Sequence, residues 1–174
     1  MASSPERLVR EGLVRHLPKF RRFALSLARN QADADDLVQA GFERALAKAK
    51  SYNSAYKIET WVFKIIQNYW TDQMRKQARR GTTVDIDEAH ALMGEDGRHS
   101  AETRDLSFKA RLAIEQLPED HRSVVALVLV NGESYKDAAE ILGVPVGTIM
   151  SRLYRARQTL MQQLGNDQNL GGQA

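Results

Sequence analysis

The chain has 174 residues, 43% of them hydrophobic, which suits one medium domain or two small ones with real cores and argues against wholesale disorder. It contains no cysteine, which excludes disulfides, thiolate metal sites and a cysteine nucleophile and fits a reducing cytoplasm. The stretch Met1 to Gly12 lacks the apolar core of a signal peptide, and the longest apolar run, Val124 to Val130, is too short to cross a bilayer. A cytoplasmic protein without membrane insertion is therefore expected.

The net charge of +3 is unevenly spread. Residues 1–80 carry 16 Lys/Arg against 8 Asp/Glu, residues 81–104 carry 2 against 6, and residues 105–165 balance at 7 and 7. A basic half, an acidic connector and a neutral half imply two modules with different surfaces, the basic one suited to phosphates.

In chain order, the first periodic segment runs through Leu13, Leu17, Phe20, Phe23, Ala24 and Leu27, with Pro18 set to kink or delimit it. Residues 31–50 place Ala34, Leu37, Val38, Gly41, Phe42, Ala45, Leu46 and Ala49 on one helical face. Ser51 to Ser54 break the pattern. Residues 57–79 resume it with Ile58, Trp61, Val62, Ile65, Tyr69 and Met74 as the expected core stripe. From Gly81 to about Thr103 the periodicity fades, so a flexible acidic linker is expected, with a short helical turn at Asp87–Met93. A helix from about Leu106 to Leu117 follows. Another begins at Pro118, Glu119 and Asp120 and ends at Asn131-Gly132; these start and stop signals favour a buried helix over a strand for its Val-rich run.

Ser134 and Asp137 form a capping-box-like start to a short helix with Ala138, Ala139, Ile141 and Leu142 on its apolar face. Gly143 then turns the chain into a second helix from about Thr148, the pattern of a helix-turn-helix. At roughly 100° per residue, Ile149, Leu153, Ala156 and Leu160 make one core stripe. Thr148, Ser151, Arg152, Arg155 and Thr159 line up beside it. Hydroxyls and guanidinium groups on one face are what read base edges and grip phosphates in a major groove. Met150, Tyr154 and Arg157 fall in a third sector. The fold class is thus all-α: two small helical domains joined by a flexible acidic linker, the second a four-helix domain with a helix-turn-helix. The expected division is 1–80, linker 81–104, 105–165, and a flexible tail 166–174.

Three segments of this second half, Leu117-Pro-Glu-Asp-His-Arg122, Gly132-Glu-Ser-Tyr-Lys-Asp-Ala-Ala-Glu-Ile-Leu-Gly143 and Val144-Pro-Val-Gly-Thr-Ile-Met-Ser-Arg-Leu-Tyr-Arg-Ala-Arg157, together resemble the promoter −35-binding domain of extracytoplasmic-function sigma factors. The first half resembles the same family independently. Asp33-Ala-Asp-Asp-Leu-Val-Gln39 is similar to its polymerase-binding segment, and Glu59-Thr-Trp-Val-Phe-Lys-Ile65, followed by Asn68, Asp72 and Arg75, to its −10-element helix. Two departures stand out: Ala40 where the family often has glutamate, and Trp70 in the −10-like helix.

The resemblance implies an alternative sigma factor that binds core RNA polymerase through the β′ clamp helices and the β flap, recognises promoter DNA and melts the −10 element, with a stress-response role and an anti-sigma partner. It assigns Thr148, Ser151, Arg152 and Arg155 to the −35 element. It assigns Asn53, Lys64, Asn68, Thr71, Arg75 and Arg79 to the −10 element, and Asp35, Asp36 and Gln39 to the polymerase. Lys64 to Arg79 recur every three or four residues, a polar and mostly cationic stripe that can track a nucleic-acid backbone. The loop holding Tyr52, Asn53, Ser54 and Tyr56 corresponds to one that captures a flipped base, where a stacking face and an amide make chemical sense. For Tyr52, closing the helix core is an equal alternative, and Trp61 falls on the apolar stripe.

No catalytic constellation or cofactor site is evident. His16, His90, His99 and His121 share no metal-ligand spacing, and there is no GxxxxGK phosphate loop. Two other readings compete: a sigma mimic that sequesters an anti-sigma factor, and a conventional helix-turn-helix regulator. The cationic stripe together with a complete groove face argues against the first. The polymerase-like segment argues against the second.

Overall fold

A computed structural model describes residues 4–81 and 101–170, with side chains through residue 165 apart from 101–104. Among the described residues every regular element is helical. The helical turn expected at Asp87–Met93 and most of the acidic connector lie outside them.

Ser4 caps α1 (Pro5–Arg15) by accepting from Arg7 N. The chain breaks at His16, and Pro18 occupies the first turn of α2 (Leu17–Ala28), so the proline delimits two helices. Asn30 caps α3 (Gln31–Ala47) through Asp33 N at 2.8 Å. A short 3₁₀ turn (Ala49–Ser51) and a loop lead to α4 (Ile58–Arg80), which stops at Gly81 in the left-handed region, φ 67°.

Phe20, Phe23 and Phe63 pack edge to face with ring centroids 5.1–5.2 Å apart and form the centre of the first unit. The expected core stripe of α4 is partly corrected. Val62 is buried, but Phe63 and Ile66 are the other fully buried residues, whereas Trp61, Ile65, Tyr69 and Met74 are only half-buried. The physical reason is that α4 is covered from two sides, by α2 and α3 and by a helix of the second unit. A single apolar stripe describes only one of those covers. Leu46, expected in the core of α3, is exposed, at the edge of that helix's buried face.

The second unit is the expected four-helix domain: α5 (Ala101–Glu115), α6 (Glu119–Val125), α7 (Tyr135–Leu142) and α8 (Val146–Leu170). The Val-rich run is helical, but its winding loosens into a π-helical segment (Ala126–Val130), closed by Asn131 N donating to Ala126 O at 3.0 Å. Gly132 and Gly143 adopt positive φ, 71° and 67°, where a side chain would be strained. Ser134 caps α7 through Asp137 N at 3.0 Å. The last helix starts two residues earlier than expected because Pro145 O accepts from Thr148 N and Ile149 N. It also continues to Leu170, beyond the expected end at 165; no proline follows to stop it.

The two units dock. The buried apolar cluster is continuous from Leu27 and Phe63 to Val124, Leu127 and Ile141. Arg122, 3% exposed, crosses the join: its Nε donates to Ser26 O of α2 and its Nη1 to Leu117 O at 2.7 Å. Burial, reinforced by the neighbouring Arg29 guanidinium, pushes its pKa below the usual arginine value.

Helices α3 and α4 meet closely at Gly41, where an added Cβ would lie 2.6 Å from Cγ1 of the fully buried Ile66. Gly41→Ala should therefore cost about 1–3 kcal/mol by overpacking in urea denaturation. Gly147→Ala, which meets open space in a first helical turn, should cost nothing.

Candidate nucleic-acid interface

The outer face of α4 carries Lys64, Asn68, Arg75 and Arg79, all exposed, with Thr71 half-buried between them. The five residues share one helical face, because α2 and α3 claim the opposite side. They are not equally free. Thr71 Oγ1 donates to Gln67 O at 3.0 Å, Arg79 Nε donates to Arg75 O at 3.3 Å, and Lys64 Nζ lies 3.8 Å from Glu140 of α7.

The loop before α4 separates its residues by role. Tyr52 is buried, its ring 5.1 Å from Trp61, and its hydroxyl donates to Tyr56 O at 2.7 Å. Burial raises its pKa above the ordinary phenol value. Tyr52 is thus the post of the loop. Asn53 is exposed, with Oδ1 accepting from Ala55 N at 2.9 Å in a side-chain turn, which leaves its amide NH₂ outward. The exposed aromatic is Tyr56, 61% accessible, which the sequence put in the loop without singling it out. A tyrosine immediately before an N-cap, near a second tyrosine that closes the core, was the available signal.

On α8, Ile149, Leu153 and Ala156 are buried as the wheel predicts. Ser151 and Arg155 are exposed, Thr148 half-buried. Arg152 is turned inward: its Nε lies 3.3 Å from Asp120 Oδ2 of α6, in a cleft of about 300 Å³ that Gln67 of α4 also lines. Met150 and Tyr154, in the third sector, are exposed.

A third face lies between α2 and α3. Leu17, Val38, Phe42 and Leu46 line an apolar groove of about 350 Å³, with Asp35 and Gln39 at its edge. Asp35 Oδ1 accepts from Arg21 Nη2 at 3.0 Å and Gln31 Nε2 at 2.9 Å, and Gln39 Nε2 donates to Glu43 Oε1 at 3.1 Å. Asp36 is exposed one residue away. The sequence identified the polar edge of this groove and missed its apolar floor, because Leu46 read as core and Phe42, which does pack on Phe20, gave no sign of also lining a groove.

A helical unit with a cationic outer face, coupled to a helix-turn-helix unit, fits the sigma-70 class, and the family matches establish it. Residues 13–80 match Sigma-70 region 2 and residues 107–160 match Sigma-70, region 4. The chain is 39% identical over 153 residues to the ECF RNA polymerase sigma factor EcfG of Rhodopseudomonas palustris, covering 87% of this chain and 82% of that one. It superposes with TM-score 0.73 and 32% identity on the sigma factor RpoE of Bartonella quintana, solved with the anti-sigma factor NepR, over 90% of this chain and 96% of that one. At 18% identity and TM-score 0.55, the anti-anti-sigma factor PhyR of the same organism, covered over 88% of this chain and 49% of that one, shares the fold alone.

The chain belongs to the extracytoplasmic-function RNA polymerase sigma factors. It is an alternative sigma factor that works with RNA polymerase in promoter recognition and transcription initiation. Sigma factors are DNA-binding regulators rather than catalysts. No helix among the described residues is long and apolar enough to cross a membrane.

The two loop tyrosines can be told apart by experiment. Tyr52→Phe should lower stability by about 0.5–1.5 kcal/mol in chemical denaturation through loss of one hydrogen bond. Tyr56→Ala should leave stability unchanged and slow promoter opening, read by permanganate footprinting; the reverse pattern would exchange their roles.

Proposed function

We propose a division of labour among the three faces. The exposed stripe of α4, Lys64, Asn68, Thr71, Arg75 and Arg79, holds the single-stranded −10 element, and Asn53 and Tyr56 receive an unstacked base at its upstream end. The polar face of α8, Thr148, Ser151, Arg152 and Arg155, reads the −35 duplex, with Asp120 as the positioning residue for Arg152. The groove edged by Asp35, Asp36 and Gln39 binds the β′ clamp helices of the polymerase, its apolar floor supplying contact area and its carboxylates orientation. The β flap takes a surface of the second unit.

The observation that carries this reading is the coexistence of two nucleic-acid-compatible faces with a separate acid-edged apolar groove in one chain. A mimic that only titrates an inhibitor has no use for the exposed Arg75, Arg79 and Arg155. The protein itself performs no bond chemistry in this scheme and needs no cofactor. It acts in the cytoplasm beside the polymerase, as part of a stress response. A protein anti-sigma factor restrains it, in keeping with the complex in which its relative RpoE was solved.

The decisive assay mixes the protein with sigma-free core polymerase and a promoter library and sequences the transcripts. Defined start sites are expected; none from any promoter would turn the reading to the mimic. Arg155→Ala should weaken duplex −35 binding by about 1–3 kcal/mol while leaving strand opening on bound promoter intact. Arg75→Ala should do the opposite, and identical defects in both steps would refute the division.

A further inference from the structure

A polar cleft of about 300 Å³ opens where four helices meet, lined by Gln67 of α4, Glu119, Asp120 and Ser123 of α6, Leu142 of α7 and Arg152 of α8. Its polar groups are only partly used within the protein. Glu119 Oε1 accepts from the indole N–H of Trp70 at 2.9 Å, and Ser123 Oγ donates to Glu119 O at 2.7 Å. Asp120 Oδ1 accepts from His121 N at 3.0 Å, and its Oδ2 lies 3.3 Å from Arg152 Nε. Gln67 Nε2 donates to Thr71 Oγ1 at 3.3 Å, but Gln67 Oε1 is buried and accepts from no group. A buried carbonyl oxygen without a donor is destabilising, so a ligand N–H placed there is gained without breaking another bond.

The lining selects the chemistry of what can enter. Two carboxylates against one guanidinium oppose a simple anion. The guanidinium opposes a bare metal ion, and among the described residues no group of three His, Cys, Asp or Glu side chains could hold one. A neutral apolar molecule would leave Gln67 Oε1 unsatisfied. A zwitterion answers every group. An ammonium carries three N–H donors, and Glu119, Asp120 and Gln67 Oε1 supply acceptors for them. A carboxylate fits the remaining N–H groups of Arg152, which can hold it bidentately. Arg152 and Asp120 are in contact, so the opposite charges of the cleft are adjacent, like those of an α-amino acid, whose two charged groups share one carbon. Leu142 supplies an apolar wall for an aliphatic side chain. The volume is at the lower end of small-molecule pockets, roughly 300–1,000 Å³, which suits an amino acid better than a peptide or a nucleotide.

We propose that this cleft binds a free α-amino acid with a small aliphatic side chain, its ammonium toward Glu119, Asp120 and Gln67 and its carboxylate toward Arg152. The protein thereby carries a metabolite-binding activity besides promoter recognition. The cleft lies apart from the groove between α2 and α3 and shares only Arg152 with the faces assigned to DNA.

Isothermal titration of the full chain with L-alanine, L-valine and L-leucine tests the proposal. At least one should half-saturate the protein below about 1 mM, within reach of a compact ligand that makes a few charge-assisted bonds. The N-acetyl and the amide derivatives of the tightest binder each lack one of the two charges, and both should bind at least about tenfold more weakly. No binding by any of the three amino acids at about 10 mM, or a derivative that binds as well as its parent, overturns the proposal. Gln67→Met keeps the length of the side chain without its carbonyl oxygen and should weaken binding about tenfold. Gln163→Met removes another buried, unpartnered amide oxygen, beside Gln116 and outside the cleft, and should stay within about twofold of the parent. Equal affinity in the two variants puts the ligand elsewhere and overturns the proposal. If Gln67→Met does not fold, the two derivatives decide the matter on the parent chain.

Discussion

A row of lysines facing a row of carboxylates sets how the two halves of this chain lie against each other. Lys19, Lys57 and Lys64 meet Glu133, Asp137 and Glu140 along the join, and the one pair exposed on both sides, Lys64–Glu140, contributes only about 0–1 kcal/mol. What the row supplies is register. It brings α7 onto α4 rather than onto another basic surface of the first unit. The more buried fastening is Arg122, whose guanidinium satisfies two carbonyls, one from each unit, in a site that water does not reach. A buried guanidinium is costly unless so satisfied, which makes the join specific rather than merely sticky.

The neutral total of the second half hides a sorted surface. Glu119, Glu133, Asp137 and Glu140 gather where it meets the basic unit, while Arg155 and Arg157 remain exposed on α8. Apart from the buried Arg122 and the inward-turned Arg152, the acids of this unit gather against the partner domain and its cations on α8 face solvent. Helix α4 is where the demands converge. Phe63 and Ile66 anchor it under the approach allowed by Gly41, and its remaining sides are divided between the exposed polar stripe and α7.

Much of this was legible in the sequence. The cap at Ser134, the delimiting Pro18, the glycine turn at Gly143 and the core stripe of α8 follow from local rules, and each is found. Long-range features were not. The buried face of α4 was read about one residue, roughly 100°, around the wheel because two neighbours cover it. Leu46 looked like core because a groove lining has the same periodicity as a buried face, whereas Phe42 does both, packing on Phe20 and lining the groove. The inward turn of Arg152 depends on Asp120, thirty-two positions earlier in the chain, and no local pattern couples them. The placement of α7 on α4 was invisible for the same reason: net charge per segment records how many charges there are, not which face carries them.

The account turns on whether the two DNA-reading units are together in the free protein and apart on the promoter. Dyes on Ala55→Cys and Lys136→Cys, next to the Lys57–Asp137 contact, report that separation by single-molecule energy transfer. The account predicts one short-distance population for the free chain and a shift to a separation of tens of ångströms in the complex with core polymerase and promoter. An unchanged short distance in that complex, or a free chain that is already extended, would contradict it.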